Sequence, residues 1–209
     1  MNDQTLEHLE PLIEAITKVN PAYVLKSTND SDDLKVPQLE RVFAYELYHQ
    51  CRDCFYKKFP QLIISPEIAK QLSLQDKNKQ VYPDLVFHGG DNDVNNQWFC
   101  CEIKRYVSKN NPSTVRIRND INKLSNYLSL KAPDGRDAKF DLAIFIVINC
   151  DLESLKQRIS RVLIKSKKIC VPSANLDKII CMSVHEVDQK LTADYFKLSA
   201  CNKITNKKS

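Results

Sequence analysis

The longest uninterrupted apolar run in the chain, Leu142 to Ile148, limits the folds that this sequence can adopt. A bilayer span takes roughly 20 apolar residues, so this run is far too short to cross a membrane. A run of this length is typical of a strand that is buried on both faces at the centre of a sheet. We therefore predict a central strand over Phe140 to Asn149 and an α/β protein in which helices cover the sheet.

The periodicity of the remaining sequence predicts an order of helix, three strands, helix and strand around this run. Residues 20–37 are rich in Pro, Asn, Ser and Asp and predict a linker. The predicted helices are 3–18, Gln38 to Lys58, Ser113 to Leu130, Asp151 to Lys167 and His185 to Ser199, and the other predicted strands are Gln61 to Ser65, Val81 to His88, Gln97 to Arg105 and Lys178 to Val184. The predicted domains are an N-terminal helix and linker (1–37), a core (38–150), a C-terminal α/β extension (151–199) packed on the core and a polar tail (200–209).

Charge and glycine content narrow the classes of function. The chain has 31 Lys and Arg against 26 Asp and Glu, which gives a net charge of +5. This excess permits a nucleic-acid partner without establishing one. Only three glycines occur, which excludes the glycine-rich loops of Walker-type and dinucleotide-binding proteins. A Ser-His-Asp or Cys-His mechanism is disfavoured because its partner residues cannot be placed.

Cysteine usage indicates a reducing compartment. The eight cysteines occur in a chain whose N-terminus lacks the basic-then-apolar pattern of a signal peptide, so we expect free thiols and a cytoplasmic protein without a membrane span. Cys51 and Cys54 form a Cys-x-x-Cys pair, but no second pair or nearby His completes a zinc site. We interpret them as buried structural thiols on the apolar side of a helix.

Two predicted strands bring acidic residues to one hairpin. Alternation along residues 98–104 puts Glu102 and Lys104 on the same face, and Asp84 approaches Glu102 if the neighbouring strands pair. Adjacent carboxylates repel unless they are protonated or bridged by a cation, and oxygen ligands of this kind suit Mg²⁺. A lysine at such a site can position or help deprotonate water, or neutralise charge developing on a phosphodiester. The alternative is a hairpin with a solvated Glu-Lys edge.

A third acid lies in the preceding helix. Glu46 lies three and four residues from Phe43 and Val42, so it falls within the core-facing apolar stripe of the helix, where a lone carboxylate is costly to bury. A cation at the sheet surface would explain Glu46, and a position at the edge of the exposed surface is the alternative. Glu40 lies on the same side in the first turn, where interaction with the helix dipole suffices to explain it.

Together these residues resemble the motif of the PD-(D/E)xK nuclease superfamily, also called restriction endonuclease-like. The resemblance covers roughly residues 38–150 and rests on Glu46 in ERVFAYELYHQ, Pro83-Asp84 in VYPDLVF and Glu102-Ile103-Lys104 in CCEIKR. It implies an α-β-β-β-α-β core with a mixed central sheet flanked by helices, which is also the order that periodicity predicts.

The resemblance further implies the chemistry of the site. Asp84 and Glu102 would bind Mg²⁺, for which Mn²⁺ would substitute, and the backbone carbonyl of Ile103 would add a ligand. Lys104 would assist the attacking water, and Glu46 would support the metal. These roles follow from the resemblance and not from composition or spacing.

Two segments look like bacterial-type members of this superfamily. One is Glu67-Ile-Ala-Lys70, and the other is the helix segment from Asp120 to Tyr127. On this helix a polar ridge is formed at helical spacing by Arg116, Asp120, Lys123 and Tyr127. Some recombination-type exonucleases carry Gln-x-x-x-Tyr on this helix, whereas this chain has Lys123 at the Gln position. The ridge is interpreted either as a solvated face with internal ion pairs or as a nucleic-acid-binding surface. The candidate nucleic-acid-binding residues are Arg105, Arg116, Arg118, Lys123 and Tyr127.

The sequence thus predicts a metal-dependent nuclease, a hydrolase of phosphodiester bonds that acts on DNA in preference to RNA. A catalytically silent nuclease-fold module that binds nucleic acid or a protein partner is the second hypothesis. A structural scaffold with an incidental Glu-Lys hairpin is the third. A homodimer or another protein partner is compatible with the first two hypotheses.

Overall fold

The fold is described by a computed structural model that covers residues 3–24, 36–66, 83–89, 97–105, 114–130, 139–165 and 171–205. The described residues form a single six-stranded sheet whose spatial order follows the chain order. The strands are β1 (Ile63–Pro66), β2 (Leu85–His88), β3 (Gln97–Arg105), β4 (Leu142–Ile148), β5 (Ile179–Val187) and β6 (Lys190–Lys197).

The sheet is mixed. Strands β1, β2 and β3 pair in antiparallel fashion, β3, β4 and β5 are parallel, and β6 pairs antiparallel with β5. The parallel connections contain helices, as such crossovers require. The prediction of an α/β protein with a mixed sheet flanked by helices is therefore confirmed.

Helices cover both faces of the sheet and define two cores. The helices are α1 (Asp3–Lys18), α2 (Val36–Lys58), α3 (Thr114–Tyr127), α4 (Leu152–Lys165) and α5 (Leu198–Thr205), with short 3-10 helices at Pro21–Tyr23 and Ser173–Asn175. One core joins α1 and α2 to the sheet, and we call this side the α2 face. The other joins α3, α4 and α5 to the opposite side, which we call the α3 face.

Strand β4 is buried along its whole length, as the apolar run predicts. Ile144, Ile146 and Ile148 belong to the core of the α2 face. Ala143, Phe145 and Val147 belong to the core of the α3 face. An uninterrupted apolar sequence is needed because neither side of this strand meets water.

The predicted helix over His185 to Ser199 is wrong. These residues form the end of β5, a two-residue turn, strand β6 and the start of α5. Asp188 and Gln189 in the turn have positive φ values of 50° and 62°. A two-residue hairpin needs this left-handed backbone, and it is reached here without the glycine that usually marks such a turn.

The C-terminal region also differs from the expected polar tail over 200–209. Helix α5 continues to Thr205 and buries Leu198 and Cys201 against the α3 face. The Glu67–Lys70 segment lies outside the described residues. No described helix combines the length and apolarity that a membrane crossing requires. The seven cysteines within the described ranges are buried free thiols.

Candidate functional site

Asp84 is fixed beside the last residues of β3. Its backbone N–H donates to the carbonyl of Cys101 at 3.0 Å. Its carboxylate Oδ2 accepts a hydrogen bond from the Ile103 N–H at 2.6 Å. Because Pro83 and Asp84 immediately precede β2, the antiparallel pairing of β2 with β3 brings this carboxylate to the Glu102–Lys104 segment.

Glu102 is a buried acid with partners on helix α3. Only 1% of it is exposed. Its Oε1 lies 2.5 Å from Lys123 Nζ and accepts a hydrogen bond from the Tyr127 hydroxyl at 3.2 Å. Burial, together with the nearby charge of Asp84, raises the pKa of Glu102 to about 7, although Lys123 works in the opposite direction.

Lys104 lies on the same side of β3 as Glu102, as the alternation predicts. Its Nζ donates to the carbonyl of Ile103 at 3.1 Å and lies 3.9 Å from Glu40 Oε2. Burial alone would lower the pKa of Lys104, but the surrounding carboxylates, Asp120 and Asp84 foremost, raise it. Lys104 therefore stays a charged ammonium group at neutral pH.

Glu40 belongs to the same charged cluster as Asp84, Glu102 and Lys104. The sequence interpretation had explained Glu40 by its interaction with the helix dipole. Its Oε1 accepts a hydrogen bond from the backbone N–H of Arg105 at 2.9 Å, which ties α2 to the end of β3. Burial raises the pKa of Glu40, opposed by that hydrogen bond and by Lys104. The apolar positions of α2 do contain a signal for Glu40. Residues buried three, four, seven and eleven positions later, such as Phe43 and Leu47, share its side of the helix.

The structure does not bring Glu46 to the cluster. Val42, which was counted with the core-facing stripe, is 40% exposed, so the buried side of α2 is rotated away from Glu46. Within the described residues, the hydrogen bond of Glu46 is with Gln50 Nε2, one turn along its own helix, at 2.9 Å. The helical acid beside Lys104 is Glu40.

Asp120 on α3 is the second acid that sequence interpretation placed elsewhere, on a solvated ridge. Burial raises its pKa, and Lys104 and Lys123 oppose that rise. Its Oδ2 is buried and has no hydrogen-bond partner among the residues that the structure describes. A buried carboxylate oxygen in that state is unusual. The signal in the sequence is the spacing of Asp120 and Lys123, which puts both on one side of α3.

The candidate nucleic-acid-binding residues divide between the interior and the surface. Tyr127 is buried, and Lys123 and Tyr127 both contact Glu102. Arg105 is also buried and donates to the carbonyl of Val24 at 3.3 Å, because alternation turns it to the α2 face. Arg116 is exposed and interacts electrostatically with Glu40, and Arg118 is partly exposed on the same helix.

The chemistry of the donors decides whether a hard cation fits this cluster. Among the described residues, no group of three or more His, Cys, Asp or Glu side chains is arranged to hold a metal ion. The Asp84 carboxylate interacts electrostatically with the carboxylates of Glu102, Glu40 and Asp120. Mg²⁺ binds through one or two carboxylates together with water and phosphate oxygens, so this donor set suits it. The Oδ2 of Asp120, which has no partner within the described part of the chain, adds a further buried oxygen to these carboxylates.

No family model, curated protein or solved structure matches this chain.

Proposed function

We propose that the protein is a Mg²⁺-dependent nuclease that hydrolyses phosphodiester bonds in DNA, with a restriction endonuclease-like core. Asp84, Glu102 and the Ile103 carbonyl would hold the cation, and Mn²⁺ would substitute for it. When bound, the cation would supply Lewis-acid activation of the phosphodiester and stabilise its developing charge.

The observation that carries the proposal is the contact between Asp84 and the end of β3. The 2.6 Å hydrogen bond from Ile103 N–H to Asp84 Oδ2 fixes one carboxylate against the Glu102–Lys104 segment. Burial and repulsion by Asp84 destabilise the charged form of Glu102. An enzyme that uses a cation benefits from such a pair, because the cation relieves both the repulsion and the burial of charge.

The ammonium group of Lys104 has a defined role in this proposal. Its raised pKa makes it a hydrogen-bond donor and not a proton acceptor at neutral pH. It would orient the attacking water or neutralise the charge that develops on a phosphate oxygen. Glu40 would act as a positioning residue, because it pairs with Lys104 and holds the backbone of Arg105.

The net charge supports a nucleic-acid substrate, and the free thiols support a cytoplasmic location. The net charge of +5 favours a polyanion, and Arg116 and Arg118 on α3 are candidates for phosphate contacts. We include a cytoplasmic setting in the proposal because the described cysteines are free thiols.

Cleavage of supercoiled plasmid and of single-stranded DNA and RNA oligonucleotides in Mg²⁺ or Mn²⁺ tests the proposal. Wild type should cut DNA in a metal-dependent manner, and Lys104→Ala should abolish turnover. Lys156→Ala is the matched control, because it removes a lysine from the exposed Lys156–Glu153 pair on α4. Circular dichroism checks that both variants fold. Unchanged cleavage by Lys104→Ala would contradict the assignment.

A catalytically silent module that binds nucleic acid is the second candidate. The observation in its favour is that Glu102 already has two protein partners, Lys123 and Tyr127, in place of an external cation. This candidate predicts DNA binding that persists in EDTA without cleavage in any divalent metal. A scaffold with no site predicts that neither Mg²⁺ nor Mn²⁺ changes the melting temperature.

A further inference from the structure

The carboxylates and the carbonyl of the candidate site are engaged by hydrogen-bond donors of the chain itself. Asp84 Oδ2 accepts from the Ile103 N–H, and the Ile103 carbonyl accepts from Lys104 Nζ. Glu102 Oε1 is contacted by Lys123 Nζ and by the Tyr127 hydroxyl. The oxygen atoms that would bind a cation are therefore stabilised by the protein without one.

Lys123 differs from the other donors because its positive charge is in direct contact with Glu102, the most buried acid of the site. The distance of 2.5 Å from Lys123 Nζ to Glu102 Oε1 is that of a close ion pair. Removal of one partner from a buried pair is costly because the other charge is left uncompensated. Lys123 thus satisfies the same electrostatic need that a divalent cation would satisfy.

The cluster nevertheless keeps an excess of carboxylates over lysines. Glu40, Asp84, Glu102 and Asp120 interact with one another and with Lys104 and Lys123, so four acids face two ammonium groups. Arg116 and Arg105 also interact electrostatically with Glu40. Asp84 and Glu102 still repel each other in this arrangement, and a divalent cation held by both would relieve that repulsion even though one lysine must move.

We propose that Lys123 is an internal counter-ion of Glu102 that competes with the divalent cation and so sets the affinity of the site for metal. This inference rests on the proposed function, because it concerns the same site. Binding of the cation breaks the Lys123–Glu102 ion pair, and Lys123 turns towards solvent while Tyr127 stays in place.

The positions of the two partners of Glu102 explain this assignment. The Lys123 side chain is 29% exposed, so its ammonium group can become hydrated once it leaves Glu102. Tyr127 is 1% exposed and packs against Phe140, which prevents a comparable movement. Lys123 therefore exchanges with the cation, and Tyr127 orients the carboxylate.

Titration of Mn²⁺ into the full chain by calorimetry tests the inference. Lys123→Met should bind Mn²⁺ about tenfold more tightly than wild type, which corresponds to about 1.4 kcal/mol. Lys156→Met should bind like wild type, because it removes the same charge from a remote surface pair. Asp84→Asn should abolish binding, which shows that the titration reports this site.

Each outcome separates the inference from the proposed function. Equal or weaker Mn²⁺ binding by Lys123→Met, with loss of binding in Asp84→Asn, overturns the counter-ion role and leaves the metal site standing. An absence of Mn²⁺ binding in wild type and in Lys123→Met overturns both.

A second measurement uses wild-type protein and does not depend on the folding of a variant. Acetylation of lysines by a succinimidyl reagent, read by mass spectrometry, should be several-fold faster at Lys123 in saturating Mn²⁺ than in EDTA, because the broken ion pair releases the amine. The rate at Lys156 should not change. An unchanged rate at Lys123 in Mn²⁺ that demonstrably binds would overturn the displacement.

Discussion

The two faces of strand β3 handle burial in different ways. On the α2 face, Phe99, Cys101 and Ile103 lie in an apolar core, and each is at most 1% exposed. On the α3 face, Cys100 is followed by Glu102 and Lys104, so the same strand buries charge beside a second apolar core. Packing stabilises residues 99–103 on the first face, and the buried Arg105 that follows them donates a hydrogen bond to the Val24 carbonyl. The second face needs a partner for every charge, and Lys123, Tyr127 and Glu40 supply these partners at the end of the strand.

The largest expected effect breaks the apolar face. Phe99→Ala removes a ring that stacks on Phe87 with centroids 4.0 Å apart, and should lower the free energy of unfolding by about 3–5 kcal/mol. Urea denaturation followed by circular dichroism measures this loss. Tyr56→Ala is the control, because Tyr56 is 69% exposed and its removal should cost less than about 0.5 kcal/mol. Equal losses in the two variants would contradict the description of this core.

The next largest effect concerns the charged face, whose contribution to the free energy of unfolding should depend on pH. The pKa of Glu102 is raised to about 7 by burial and by Asp84, so the folded protein retains a proton that the unfolded chain loses. In EDTA, the free energy of unfolding should therefore fall as pH rises from about 4.5 through about 7, by on the order of 3 kcal/mol.

Glu102→Gln should remove this part of the pH dependence, since the amide does not titrate. Glu46→Gln should keep it, because Glu46 contacts Gln50 and not the cluster. Urea titrations across the pH range compare the three proteins. Identical pH profiles for wild type and Glu102→Gln would refute the burial of a charged Glu102.

A smaller effect measures how strongly α3 compensates Glu102. Lys123→Met should destabilise the metal-free protein by about 1–3 kcal/mol at about pH 8, because it leaves a buried carboxylate without its cation. In a Glu102→Gln background the same substitution should cost much less, and the double-mutant cycle gives the coupling energy. A coupling energy near zero would argue against the ion pair.

The smallest effect concerns Glu40, which joins the two faces at the end of β3. Under the proposed nuclease function, Glu40→Gln should slow DNA cleavage about tenfold, equivalent to about 1.4 kcal/mol, because it weakens the 3.9 Å interaction between Glu40 and Lys104. The amide oxygen can still accept from the Arg105 N–H, so stability should change little. Glu46→Gln is the matched control and should cleave like wild type. The reverse result would restore Glu46 as the supporting acid.

Local alternation was sufficient to predict the part of the site that lies on β3. The periodicity of residues 98–104 put Glu102 and Lys104 on one face, and both interact with residues of α3, Glu102 with Lys123 and Lys104 with Asp120. The apolar run likewise predicted that β4 would be buried on both faces. These predictions depend only on the two-residue periodicity of side chains along a strand, which can be read from the sequence itself.

The partners from other elements could not be predicted in the same way. The choice between Glu40 and Glu46 depended on whether Val42 faces the core, and its 40% exposure follows from how α2 sits on the sheet. Asp120 and Lys123 were assigned to a ridge whose neighbour in space was unknown. The β5–β6 hairpin was missed because Asp188 and Gln189 adopt positive φ without a glycine to indicate it.

The adjacent thiols of Cys100 and Cys101 have a consequence for following the protein as it opens. Cys101 lies in the core with Cys51 and Cys54, while Cys100 lies in the opposite core with Cys150, Cys181 and Cys201. An alkylating reagent reaches each thiol only when its own layer separates from the sheet. The alkylation rates of the native cysteines therefore report the opening of each helical layer separately, without the introduction of a new cysteine by mutation.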